Sequence, residues 1–460
     1  MPVIDPILVN TTTAGNQVNP KAAQNKFGEI AVCWTQRKLT GVRDHDQIIV
    51  QLYDATGQKI GGELLINDAA SNVDAKYSPS QSLAGLYPQS DGTFIVAMTG
   101  AKSSSNGIIQ SAFARKINRD GTFSTDLTEI IDTTADGSIS PPYMKIHVTS
   151  EGIAVTIAYM TPTPTVTYPW SGLYGSIFDL NTTNTPTWMP LDTQAALIGH
   201  PRYIHHIDEK TIGIVSHQSG NIYHSQFDIE AKSVVESKLL ITETSTFSNT
   251  IELHNGYFAN FWGAGGEAFA QVFEPNGTPY TKTILAPDLG TQVTKTAFRD
   301  TLNGFHWVMY GPVDGSNSYY EFFNKYGGAE YTDPRLCEEF IIKKPSEFFG
   351  LPLHDGGHLK VWTSSYGTPL DDDDGYGVYM ARFDKTNTPV NVDTPFTLEY
   401  LAQNTGVPAS GSGGTGGGTS GGTGGGTSGG TGGGTGSVSC CASGVNITVH
   451  VHNNDDCCGS

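Results

Sequence analysis

Short apolar runs broken by turns dominate the chain. Ile30-Ala31-Val32-Cys33-Trp34, Phe94-Ile95-Val96-Ala97-Met98 and Ile153-Ala154-Val155-Thr156-Ile157 open a series. It continues through Ile212–Ser216, Tyr257–Trp262, Phe305–Tyr310 and His358–Trp362. Each run is strand-length, and none sustains the 3.6-residue period of an amphipathic helix. A second strand follows each run and ends on an acid or Asn, at positions 54, 118, 179, 228, 274, 324 and 384, about 55 residues apart on average. Asp54-Ala55-Thr56-Gly57, Asn118-Arg119-Asp120-Gly121 and Glu274-Pro275-Asn276-Gly277 then read as turns. A further strand follows each turn, as in Glu63–Ile66 and Lys238–Ile241, and a short one precedes each apolar run.

Seven copies of a four-strand unit predict an all-β, seven-bladed β-propeller spanning residues 1–406. Pro6-Ile7-Leu8-Val9-Asn10 resembles the outer strand Leu64-Leu65-Ile66-Asn67, so it could lock the ring by joining the last blade. Phe396–Leu401 competes for that slot, and the sequence leaves the two open.

The pattern changes at Val407. A Gly/Thr/Ser-rich stem, 407–436, contains nothing apolar from which to build a core. As a flexible tether, roughly 25 such residues reach about 25–30 Å. Beyond it, 437–460 is a small Cys-rich β tail. There Val445, Ile447, Val449 and Val451 form one face of a strand, alternating with Asn446, Thr448, His450 and His452. Such a strand cannot bury its apolar side alone, so it is expected to dock on a partner edge.

Cys440 and Cys441 precede that strand, and Cys457 and Cys458 come after it. Two disulfides are the favoured reading, closing a loop worth roughly 3 kcal/mol in the chain-entropy model. Zinc or copper held with His450 and His452, or cross-links between chains, are the alternatives. The run Asp371, Asp372, Asp373, Asp374 and the matching Asp44 and Asp46 of the first repeat are calcium candidates, because a hard cation relieves crowded carboxylates. A solvated acidic loop is the plainer reading, and EF-hand spacing is absent. His205-His206, His217 and His224 fall in one repeat and read as strand or loop residues with backbone partners.

Charge narrows the partners. Acids outnumber Lys+Arg 45 to 26, for a net charge of −19. That argues against nucleic acid, which needs a basic face, and no apolar run is long enough to span a membrane. Met1-Pro2-Val3-Ile4-Asp5-Pro6 lacks the form of a cleavable secretory signal. His-Glu-x-x-His, a phosphate loop and a nucleophile elbow in a strand-turn-helix context are all missing, so no catalytic residue is assigned and the chain is read as a non-enzyme.

The first and last repeats resemble blades of bacterial extracellular and surface repeat proteins. The likeness rests on Trp34 and Trp362, the Asp/Gly loops, and Gln51-Leu52-Tyr53-Asp54 with Gly57 beside Met380-Ala381-Arg382-Phe383-Asp384. The glycine-rich stem resembles parts of phage-fibre and filament proteins. These resemblances imply an extracellular, cell-surface filament or virion-associated binding protein that self-associates through its tail. A glycan-binding lectin-type propeller and a propeller glycoside hydrolase or lyase are the alternatives.

Overall fold

A computed structural model describes residues 7–13, 15–37, 46–67, 77–104, 107–131, 143–160, 172–182, 188–190, 200–208, 210–231, 233–242, 246–253, 256–264, 267–285, 293–300, 304–313, 316–325, 331–336, 347–364, 377–383 and 389–390. Among these residues there is no α-helix, and no helix is long and apolar enough to cross a membrane.

The fold is an all-β propeller. Strand β1 (Ile7–Leu8) stands apart from the first sheet, which is β2 (Asn16–Gln24), β3 (Ile30–Arg37), β4 (Gln47–Tyr53) and β5 (Lys59–Leu65). The second is β6 (Tyr77–Pro88), β7 (Phe94–Ser104), β8 (Gly107–Ile117) and β9 (Thr128–Ile131). Then come β10 (Tyr143–Val148), β11 (Ile153–Met160), β12 (Gly172–Asp179) and β13 (Trp188–Pro190). The next sheet is β14 (His200–His206), β15 (Thr211–Gln218), β16 (Asn221–Asp228) and β17 (Ser233–Ile241). After it come β18 (Thr246–Glu252), β19 (Phe258–Ala264), β20 (Glu267–Phe273) and β21 (Ile284–Leu285). The sixth is β22 (Val293–Asp300), β23 (Gly304–Val313), β24 (Ser316–Lys325) and β25 (Tyr331–Leu336). Last are β26 (Glu347–Pro352), β27 (His358–Ser364), β28 (Gly377–Phe383) and β29 (Pro389–Val390).

Six blades, rather than the seven expected, are four-stranded meanders of consecutive strands. The remaining sheet is five-stranded and composite, because β1 joins β26–β29 from the other end of the chain. First strands lie side by side around the axis: β2 beside β6, β6 beside β10, β10 beside β14, β14 beside β18, β18 beside β22, β22 beside β26, and β26 beside β2.

At closure, the N-terminal strand joins the last blade, one of the two readings the sequence leaves open. The outer edge of β28 is shared: β1 pairs at Tyr379 and Met380, and β29 pairs at Arg382 and Phe383. Phe396–Leu401 lies outside the described residues. One device repeats at both seams. Val9 N–H donates to Val378 O at 2.8 Å, and the Asn10 side-chain oxygen accepts from Val378 N–H at 2.8 Å. In the first blade, Ile66 N–H donates to Ile48 O at 2.9 Å, and Asn67 Oδ1 accepts from Ile48 N–H at 2.8 Å. An Asn just past the strand thus prolongs the ladder with its side-chain amide. That is the physical content of the likeness between residues 6–10 and 64–67.

The recurring acid or Asn has an equally local cause. Asp54 Oδ1 accepts from Thr56 N–H, Thr56 Oγ1–H and Gln58 N–H at 2.8, 2.7 and 3.0 Å. Gly57 N–H donates to Asp54 O, with Gly57 at φ +81°. Gly121 and Gly277 take the same left-handed conformation, which costs a Cβ-bearing residue strain.

The core lies between blades. Val9, Trp34, Tyr53, Leu353, Val361 and Met380 form one buried layer joining the composite sheet to the first blade. Ile95, Ala97, Ile146, Val148 and Phe178 form another, between the second and third sheets.

Candidate functional site

Most of the residues singled out from the sequence lie outside the described residues: Cys440, Cys441, Cys457, Cys458, His450, His452, Val445, Ile447, Val449, Val451, Asp44 and Asp371–Asp374. Asp46 is described, at the start of β4. Its carboxylate lies 3.5 Å from Arg37 Nε, and its carbonyl accepts from Asn67 Nδ2 at 2.8 Å. Burial raises its pKa against the opposing pull of Arg37. Asp46 thus anchors the blade-one seam through both its backbone and its side chain. No group of three or more His, Cys, Asp or Glu among the described residues is placed to hold a metal ion.

The histidines are more informative. They do sit on strands, but they partner one another rather than the backbone alone. His205 on β14 and His224 on β16 are buried, with Nε2 atoms 3.1 Å apart, so one ring must donate and the other accept. Each has a buried Nδ1 with no hydrogen-bond partner among the described residues. Their rings lie 4.5 and 5.0 Å from Phe258 of the next blade. His205 fits because it lies over Gly213, directly opposite on β15; a Cβ there would collide with the ring. Burial is the main force pushing both pKa values down, His224 to about 4 and His205 well below the usual range. Both are neutral near pH 7.

A second set stands at the inner edge, between β10 and β14. Ile146 and Val148 pack toward the second sheet, so strand alternation turns Lys145 and His147 toward β14. Ile204 packs on Val155 and Ile157, so His206, on the same side of β14, faces β10. The rings of His147 and His206 accordingly stack at 6.4 Å, and Tyr87 meets His147 edge-on at 5.7 Å. Tyr87 Oη donates to Ile146 O at 2.5 Å, which fixes its ring. Burial lowers the His147 pKa to about 4, with the charge of His206 adding to it. Lys145 reaches solvent; protein walls and the like charge of Arg202 lower its pKa.

Register places Ala23, Tyr87, His147, His205, Ile251, Phe298 and Leu351 at equivalent inner-strand positions, opposite Ala31, Ile95, Val155, Gly213, Ala259, His306 and Leu359. Two of the seven are histidines on adjacent first strands, one in each set; the rest are apolar or aromatic. The only trace in the sequence is the polar/apolar alternation of Lys145-Ile146-His147-Val148. Without register, nothing ranked it above any half-exposed strand.

No protein-family model matches this chain, and no curated protein matches it. Among solved structures it is similar to an ulvan lyase of polysaccharide lyase family PL25 bound to a GlcA–Rha3S saccharide. That match has 11% identity and a TM-score of 0.49, covering 84% of this chain and 100% of that one. It is also similar to the Dos1 propeller, with 13% identity and a TM-score of 0.44 over 82% of this chain and 94% of that one. A third is a protein of unknown function from Dyadobacter fermentans, with 12% identity and a TM-score of 0.42 over 70% of this chain and 98% of that one. No functional residue is transferred on such likenesses.

Proposed function

We propose that this protein is a non-enzymatic binding and attachment subunit of an extracellular or virion-borne assembly. The five-stranded sheet serves as the seventh, closing blade of a rigid ring. Residues 407–436 are the stem on which the ring is displayed, and 437–460 anchor or polymerise it by adding a strand to a neighbouring subunit. One observation carries the reading: Ile7–Leu8 and Pro389–Val390 together occupy the outer edge of β28. That edge is filled by described strands, and on this reading the Cys-flanked strand is left for another partner. Calcium at Asp44, Asp46 and Asp371–Asp374, and disulfides or zinc or copper at the tail, belong to the same proposal.

The test is a chain truncated after Thr405. It should melt as the full chain does, yet stay monomeric by light scattering where the full chain self-associates. Equal assembly with and without the tail would refute the attachment role. Non-reducing mass spectrometry of the tail peptide would separate bridged, metallated and inter-chain cysteines.

A further inference from the structure

Each sheet ends in an outer strand, and β17, with nine residues, is the longest of these among the described residues. It pairs with β16, and no described strand pairs with its other edge. Val235 and Leu239 on this strand are 64% and 52% exposed. They are the two aliphatic members of the four large exposed hydrophobics among the described residues. Leu239 and Ser237 stand opposite Tyr223 and Ser225, on the side of β16 from which Phe227 packs with Val155 and Ile157 of the third sheet. The outer strand of that sheet, β13, has three residues, so a nine-residue neighbour outruns it. Next in length among the outer strands is β5, with seven residues, but its Lys59 and Glu63 already hold Val9, Thr11 and Thr12.

An exposed edge bearing apolar side chains is a template for another strand. Two features restrict what β17 accepts. Bulges against β16 at Gln226/Phe227 and Ile222/Tyr223 leave Glu236, Ser237, Lys238 and Leu239 in unbroken register. On the face toward the fifth sheet, Glu236 and Lys238 form an ion pair at 3.2 Å, and Lys238 Nζ donates to Asn276 O at 3.1 Å. A matching strand is therefore short, apolar on one face and polar on the other. Residues 445–451 have that pattern, with Val445, Ile447, Val449 and Val451 alternating with Asn446, Thr448 and His450. Laid along β17, their apolar face extends the strip begun by Val235 and Leu239, and their polar face continues that of Glu236 and Lys238. The stem gives this segment a reach of about 25–30 Å. β17 belongs to the fourth sheet, three sheets round the ring from the one that holds Val390. That separation favours the tail of another copy over the chain's own.

Resting on the attachment role proposed for the tail, we infer that the outer edge of β17 receives residues 445–451 of a second copy of this chain, which add there as a further strand. Main-chain hydrogen bonds supply the affinity, and Val235 and Leu239 select the register. Such a contact joins two different surfaces, tail to ring, so repeating it from copy to copy builds a file of subunits.

The test follows self-association of the full chain by sedimentation velocity, beside two full-length variants: Val235→Lys/Leu239→Lys on the ring and Ile447→Asp/Val449→Asp in the tail. Each is expected to weaken association at least tenfold while leaving the melting temperature unchanged. Hydrogen exchange gives a readout independent of the variants. Amides of 233–241 should exchange more slowly once concentration carries the chain from monomer to assembly, with the other outer strands unaltered. Unaltered exchange in 233–241 on assembly would overturn the inference. Association lost in the tail variant but kept in the ring variant overturns β17 as the receiving edge and leaves the attachment role standing. Association kept in the tail variant, or a full chain that is monomeric at every concentration, overturns the attachment role and this inference together. Slow exchange at β17 in the dilute monomer, relieved in the tail variant, assigns that edge to the chain's own tail and overturns the second copy as occupant.

Discussion

His224 and His205 fill part of a blade interface that other blades fill with aliphatic and aromatic side chains, and they stay there only while neutral. Their neutrality sets the sign of a pH dependence. The unfolded chain takes up protons below about pH 6.5, while His224 in the fold resists protonation until about pH 4. Stability attributable to that ring is complete above pH 6.5 and declines as pH falls toward 4, by about 1.4 kcal/mol per pH unit for each such histidine. Urea melts between pH 4.5 and 7 should show that slope, and His224→Gln should remove about one proton's share of it. Gly213 belongs to the same packing. Gly213→Ala puts a methyl group where the His205 ring lies; a loss of roughly 1–3 kcal/mol is expected by denaturant titration, as for other overpacked cores. Asn10 works by hydrogen bonding instead. Asn10→Ala orphans the buried Val378 N–H and should cost about 1–3 kcal/mol. An unchanged melting midpoint in that variant would show the clamp to be dispensable.

Among the elements, β1 is one of the shortest and the most consequential. Only two of its residues pair with β28, yet residues 9–12 are well tied to the first blade. Lys59 Nζ donates to Val9 O at 2.9 Å, and Glu63 accepts from Thr11 N–H and from Thr12 Oγ1–H, the latter at 2.8 Å. The N-terminal segment therefore holds the first blade as well as the last. Removing residues 1–12 should lower the melting temperature and broaden the transition, because the ring loses the contact that makes its two ends one cooperative unit. Hydrogen exchange should locate the opening at β26–β28 and β2–β5. Uniform loss of protection around the ring would count against this account. The turns were legible from the sequence: Asp54, Thr56 and Gly57 are nearest neighbours, so spacing alone specifies their geometry. How two strands share one edge was not, since Ile7 and Pro389 meet only through the rest of the ring.

At the scale of the molecule, blades meet through buried aliphatic and aromatic layers, and an inner edge of first strands encircles the axis. An apolar, strand-length period predicts such a layered all-β fold because it measures what each strand must bury. The same period says nothing about which polar residues meet across blades. His147 and His206 are far apart in the chain, and only the ring brings β10 beside β14.

By itself, the sequence determined the all-β class, the repeated unit, the turn chemistry and the strand-like character of residues 6–10. All of these depend on residues a few positions apart, where backbone geometry leaves little freedom. Tertiary structure alone decided that one sheet is composite, that His205 and His224 partner each other over Gly213, and that His147 and His206 stack across two blades. Those outcomes depend on register and on blade-to-blade packing, where one step along a strand turns a side chain to the opposite face.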